Sequence, residues 1–156
     1  LNYGHTLGHA LEAEAGGRLR HGEAVALGMR AAARLGEELG YLTRAERERQ
    51  DSLLDRLGLP RRIDGIDVDQ VLAKLKWDKK VRHGKPLFVL TCGVGSASVA
   101  PPIDAGRVRR ALADLIGRPT ANPSNAKARA DLGRQEVSSR PSGATLRPRK
   151  NQQTRS

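Results

Sequence analysis

His5, His9 and His21 lie within the first 21 residues of a chain that holds four histidines in all. Imidazole is the commonest metal-ligating side chain and a proton carrier near neutral pH. His5 and His9 are four apart, which on a helix places both rings on one face at the spacing of many paired zinc ligands. His21 follows Gly16-Gly17, and a chain reversed at that pair passes back beside the first helix. The cluster therefore points to a metal or phosphate site. A catalytic zinc takes three His, Asp or Glu ligands and keeps one position open for water or substrate. His5, His9 and His21 could supply all three; alternatively, two bind metal, the third handles protons or phosphate, and a carboxylate comes from elsewhere.

The elements that must position these rings follow from apolar spacing and helix punctuation. A first helix is expected over about Gly4 to Ala15, stopped by Gly16-Gly17, because glycine tolerates the left-handed turn that ends helices. A short link then carries His21. From Gly22 to about Gly40, Val25, Met29, Ala32, Leu35 and Leu39 recur at helical spacing, with Arg30, Arg34, Glu37 and Glu38 on other faces. Thr43 followed by Glu46 reads as a capping box for a third helix running to Leu57. Its Arg44 to Arg49 segment alternates with Glu and is expected to be a solvated face. Asp67 caps a fourth helix with Val68, Val71, Leu72 and Leu75 as its apolar stripe, and Trp77 beyond it is read as packing. Leu87 to Leu90 and Ser96 to Ala100 predict a small hairpin, and Asp104 caps a last helix ending at Gly117. Glu23 is read as a first-turn carboxylate facing the helix dipole, Glu12 as a solvated helix position, Cys92 as a small core residue, and His83 as a loop histidine.

The 156 residues are 38% hydrophobic but include only one Trp, one Phe and two Tyr, which suits an aliphatic helical core better than a sandwich. The expected fold class is mainly α, a helical domain over 1–117 with one small β-hairpin. The segment 118–156 has nine Lys/Arg and two Asp/Glu, so it carries +7 of the net +11. It is rich in Pro, Ser, Asn and Gln and is expected to be a disordered basic tail. Its arginines are scattered without interleaved aromatics, which disfavours nucleic acid as a partner. No run approaches the roughly 20 apolar residues of a membrane span, so no membrane partner is expected. One cysteine fits a reducing, cytoplasmic setting. Because the chain opens on Leu1 inside the histidine cluster, it is expected to be a fragment.

Leu1-Asn2-Tyr3-Gly4-His5-Thr6-Leu7-Gly8-His9-Ala10-Leu11-Glu12, then His21-Gly22-Glu23-Ala24-Val25 and Gly28-Met29, resemble the C-terminal domain of 3-dehydroquinate synthase. Leu57-Gly58-Leu59-Pro60, Asp78-Lys79-Lys80 and the apolar run into Gly93-Val94-Gly95 follow in the family's order, so the resemblance covers about residues 1–116. It implies that His5 and His21 bind a zinc or cobalt ion, with a glutamate of a preceding N-terminal domain as third ligand. It implies that His9 is catalytic, beside the substrate, in phosphate contact and proton movement. Asn2 would hydrogen-bond substrate, and Lys80 of the Lys79-Lys80 pair would bind its phosphate or carboxylate, with Lys85 as the other candidate.

The implied cofactors are the divalent metal and NAD, and the implied substrate is a phosphorylated sugar acid, 3-deoxy-D-arabino-heptulosonate 7-phosphate. In the family, NAD transiently oxidises the C5 hydroxyl, phosphate is eliminated, and an intramolecular aldol reaction gives 3-dehydroquinate in the shikimate pathway. The full-length protein is expected to be a homodimer. The NAD-binding domain is expected upstream of Leu1, and the fragment alone is expected to be inactive. Gly93-Val94-Gly95 lacks the complete dinucleotide fingerprint and reads as a hairpin turn. Three other readings compete: a related cyclase such as 2-deoxy-scyllo-inosose synthase, a metal-dependent polyol dehydrogenase, which Asp78-Lys79-Lys80 argues against, and a non-catalytic helical module whose basic tail binds polyanions.

Overall fold

A computed structural model of the chain describes residues 2–75 and 86–117. Trp77, Asp78, Lys79, Lys80, His83, Lys85 and the tail 118–156 lie outside the described residues.

Helices α1 (His5–Ala15), α2 (His21–Glu38), α3 (Arg44–Arg56) and α4 (Val68–Leu75) are followed by strands β1 (Val89–Thr91) and β2 (Ala97–Val99) and by helix α5 (Ala105–Ala113). The strands pair antiparallel, Val89 with Val99, Leu90 with Ser98 and Thr91 with Ala97. This is the mainly α fold with one small hairpin that the apolar spacing predicts, and the Gly93-Val94-Gly95 segment is the turn between the strands. A parallel bridge joins Ile63 to Ile116. There Ile63 N–H donates to the Leu115 carbonyl and Gly117 N–H to that of Ile63, each at 2.8 Å.

The predicted caps of α3 and α5 act where the sequence places them, but α5 ends at Ala113 and not at Gly117, because Ile116 leaves the helix to bridge Ile63. Thr43 Oγ1 accepts from Glu46 N–H at 3.3 Å while Glu46 Oε2 accepts from Thr43 N–H at 2.8 Å, closing the capping box of α3. Bonds from the Thr43 backbone and hydroxyl hold the Glu46 carboxyl below its usual range. Its half of the cap is therefore complete at neutral pH and is lost as acid protonates it. Thr43→Ala is expected to cost about 1 kcal/mol, read as a lowered denaturant midpoint at unchanged slope. Asp104 caps α5 through Arg107 N–H at 3.1 Å.

Helix α2 is the central element, packed against α1, α3, α5 and β1. The expectation of one apolar stripe undercounts its burial, because neighbours surround it. Ala24, Leu27, Ala31, Ala32, Ala33 and Leu35 are buried, whereas Val25, Met29 and Leu39 are only half-buried. The core joins these α2 residues to Leu7 and Leu11 of α1, Val71 and Leu75 of α4, Phe88 and Leu90 at the hairpin, and Val108 and Leu112 of α5.

Three sequence expectations are corrected here. Arg30, expected on a polar face, is 2% exposed. Its guanidinium donates from Nε to the Pro60 carbonyl, from Nη1 to the Asp51 carbonyl and Oδ1, and from Nη2 to Asp55 Oδ1 and the Leu59 carbonyl. These bonds employ all five of its N–H donors, the condition under which a charge tolerates burial. Cys92, expected in the core, is exposed, with Sγ 3.3 Å from Ser98 Oγ. The strand ends at Thr91, so the inward alternation that buries Leu90 does not continue to position 92. The Arg44 to Arg49 face is mixed: the Arg44 and Glu48 side chains are exposed, while Arg47 folds down onto Glu37 and Asp51.

Candidate metal centre

The histidines are positioned by how closely α1 lies on α2. A side-chain carbon on Gly28 would stand 2.0 Å from the Gly4 carbonyl oxygen and 2.6 Å from the Gly8 nitrogen, and one on Gly8 would stand 3.0 Å from Val25 Cα. The two backbones therefore meet with nothing between them. Gly4, at φ 76°, holds the left-handed turn from which α1 starts, a conformation glycine adopts without steric cost. The register runs antiparallel, with Gly4 against Met29, Gly8 against Val25 and Glu12 against His21.

That register brings the three rings together. Ring centres are 5.6 Å apart for His5 and His9, 5.8 Å for His5 and His21, and 5.6 Å for His9 and His21. The reversal at Gly16-Gly17 does return the chain beside α1, as the sequence predicts. His21, however, is the first residue of α2 and not part of a link. Glu23 Oε2 accepts from Arg20 N–H at 2.8 Å, which starts the helix one residue before Gly22. Glu23 is thus the first-turn carboxylate expected of it.

What each ring touches distinguishes the three. His5 Nδ1 lies 3.1 Å from the Tyr3 carbonyl oxygen, and His21 Nδ1 lies 3.0 Å from Glu12 Oε2. A carbonyl and a carboxylate only accept, so in both pairs Nδ1 is the donor, and in the neutral form of each ring the lone pair falls on Nε2. That is the tautomer a histidine needs to bind a metal through Nε2. For His9, which is exposed, no hydrogen-bond partner is found among the described residues. The Tyr3 carbonyl is itself held in place: the Tyr3 hydroxyl donates to Gln50 Oε1 at 2.7 Å, and Gln50 Nε2 donates to the Met29 carbonyl at 3.1 Å. Burial pushes the Tyr3 phenol above its ordinary value. Thr6 Oγ1 donates to the Leu87 carbonyl at 2.8 Å, fastening α1 to the segment that leads into β1.

These contacts are the test of fit for a divalent ion. Two imidazoles whose Nδ1 atoms are taken by acceptors turn Nε2 outward, a donor type that suits zinc or cobalt. Among the described residues, no three His, Cys, Asp or Glu side chains are already arranged to hold an ion; the rings stand as neighbours, not as a closed cage. Asn2 sits one turn before the cluster, its carbonyl accepting from His5 N–H at 3.2 Å and its side chain exposed. Lys80 lies outside the described residues, so its relation to the histidines is not part of this geometry. Sequence reasoning missed Glu12 and Tyr3. Glu12 had a legible signal, since residues 5, 9 and 12 form an i, i+4, i+7 stripe.

Residues 1–81 match the family model described as 3-dehydroquinate synthase C-terminal. The chain is 43% identical over 114 residues to the 3-dehydroquinate synthase of Nostoc punctiforme, an alignment covering 72% of this chain and 31% of that one. It is 47% identical over 100 residues to the synthase of Caldanaerobacter subterraneus subsp. tengcongensis, covering 64% and 28%. The chain thus spans about a third of the length of the curated relatives it matches. Among solved structures, 2-epi-5-epi-valiolone synthase from Streptomyces hygroscopicus subsp. jinggangensis 5008, with NAD+ and Zn2+ bound, aligns at TM-score 0.66 and 30% identity over 73% of this chain and 32% of that one. A 2-deoxy-scyllo-inosose synthase complexed with carbaglucose-6-phosphate, NAD+ and Co2+ aligns at TM-score 0.65 and 27% identity, covering 73% and 34%.

Proposed function

The chain belongs to the 3-dehydroquinate synthase C-terminal family, and on that premise we propose that it is the metal- and substrate-binding part of a 3-dehydroquinate synthase. The activity proposed for the complete enzyme is a carbon–oxygen lyase reaction in which 3-deoxy-D-arabino-heptulosonate 7-phosphate loses phosphate and closes to 3-dehydroquinate. The convergence of His5, His9 and His21 along one face of the α1–α2 pair carries this reading.

In it, His5 and His21 offer Nε2 to zinc or cobalt, supported by the acceptors on their Nδ1 atoms. The third ligand is a glutamate of an N-terminal domain that also binds NAD. When bound, the divalent ion supplies a Lewis acid that grips substrate hydroxyls and stabilises developing alkoxide charge. His9 takes a different part. With neither nitrogen committed among the described residues, its ring can accept a proton on one side and give it up on the other, which suits proton movement beside the leaving phosphate. Asn2, exposed next to His5, hydrogen-bonds substrate, and Lys80 places its compact ammonium on the phosphate or carboxylate. The complete protein is proposed to be a homodimer, as the family resemblance implies. Among the described residues no helix is long and apolar enough to cross a membrane.

The curated relatives favour the synthase over a cyclase acting on a neutral sugar phosphate, since all of those quoted are named 3-dehydroquinate synthases. The test is to supply the complete enzyme with NAD+, Co2+ and either the heptulosonate 7-phosphate or glucose 6-phosphate, following phosphate release and the cyclic product. Turnover of the heptulosonate alone is expected. Turnover confined to the neutral sugar phosphate would instead select the inosose-synthase reading.

A further inference from the structure

Building on the reading of His21 as a metal ligand, we infer that Glu12 is a positioning residue of the metal centre. It acts through His21 and does not touch the ion. The two proposed ligands are held differently: His5 Nδ1 meets a neutral backbone carbonyl, whereas His21 Nδ1 meets a carboxylate at 3.0 Å. The difference has a structural reason. Tyr3 precedes His5 in a turn pinned by Gln50 and Met29, so that carbonyl is fixed by the fold. His21 is the first residue of α2, and its side chain is more than half exposed. An unsupported ring at a helix start is free to rotate about χ1 and χ2 and to place its proton on either nitrogen.

Glu12 removes both freedoms. It projects from the α1 face that carries His5 and His9, and the glycine-mediated contact of α1 with α2 fixes the distance between the two backbones. Because the carboxylate only accepts, it holds the proton on Nδ1 and leaves Nε2 facing the site as the metal-binding atom. Carboxylate, histidine and metal then form a relay of orientation in which α1 contributes to the site twice, through His5 and through Glu12.

The experiment is a titration of the metal-free complete enzyme with Zn2+ and Co2+, in competition with a chromophoric chelator, for wild type, Glu12→Ala, Glu12→Gln and His21→Ala. Glu12→Ala is expected to bind both ions about 10–100-fold more weakly and to shift the visible absorption of bound Co2+, with the thermal midpoint of the metal-free protein unchanged. Glu12→Gln keeps an acceptor oxygen without the charge and is expected to fall between. It also serves as the test variant should Glu12→Ala fold poorly. Equal affinity and an unchanged Co2+ spectrum in Glu12→Gln and Glu12→Ala, with metal lost in His21→Ala, would overturn the role of Glu12 and leave the proposed function standing. Undiminished binding in His21→Ala would overturn the ligand reading on which this inference depends.

Discussion

His5→Ala and His21→Ala in the complete enzyme are each expected to lose the divalent ion, while His9→Ala keeps it and loses turnover. The size of the first effect follows from sharing. If roughly 10–16 kcal/mol of zinc binding is divided among three or four ligands, one imidazole contributes about 2.5–5 kcal/mol. At about 1.4 kcal/mol per tenfold, its removal weakens affinity on the order of 100-fold or more. Metal analysis after dialysis against a weak chelator reads this directly. His9→Ala is expected to retain the wild-type ion content and to lose about 10²–10⁴-fold in kcat, the usual worth of a positioned general acid or base. Full metal content in the His5 and His21 variants would refute the ligand assignment. Metal loss in His9→Ala would return the site to the three-histidine arrangement that the spacing alone also permits.

The structural basis for separating the rings was only partly legible in the sequence. The i, i+4 spacing of His5 and His9 and the reversal at Gly16-Gly17 predict that the rings meet, and they do. Helix starts were legible for a local reason: Thr43 with Glu46 and Asp104 with Arg107 satisfy backbone donors three residues away, so the signal lies within one turn. Arg30 was not legible. Its partners stand 21 to 30 residues further on, in α3 and the segment after it, and helical periodicity places any arginine on a polar face until those long-range acceptors are known. Glu12 failed to stand out for a related reason. The 5, 9, 12 stripe shows that it shares the histidine face, but a glutamate on an alanine-rich helix reads as solvated, and its contact with His21 depends on the antiparallel register of α1 and α2. Cys92 shows the limit of alternation, which holds inside a strand and not one residue past its end.

Gly28→Ala is expected to be the most damaging single methyl group in the α1–α2 pair. The added carbon would stand 2.0 Å from the Gly4 carbonyl oxygen, 2.6 Å from the Gly8 nitrogen and 3.0 Å from the Gly4 carbonyl carbon. All three are backbone atoms of α1 and its cap, so no side chain can rotate away. Overpacking costs about 1–3 kcal/mol where neighbours adjust, occasionally more, and rigid neighbours place this case at about 3 kcal/mol or above. For a domain of this size each kcal/mol lowers Tm by roughly 4–8 °C, so a drop of about 12 °C or more is expected in thermal unfolding. Gly36→Ala, in the same helix, separates this clash from any general intolerance of α2 to alanine. A carbon there meets only the Leu42 side chain, no nearer than 3.4 Å, and the gain in helix propensity makes it neutral or slightly stabilising, by up to about 1 kcal/mol. The consequence reaches the chemistry, because the contact at Gly28 sets the register that places Glu12 against His21 and the His5 ring beside that of His21. If α1 shifts to admit the methyl group, metal affinity should fall along with stability although no ligand has been touched. Equal stability of the Gly28→Ala and Gly36→Ala proteins would mean that α1 and α2 do not meet backbone to backbone.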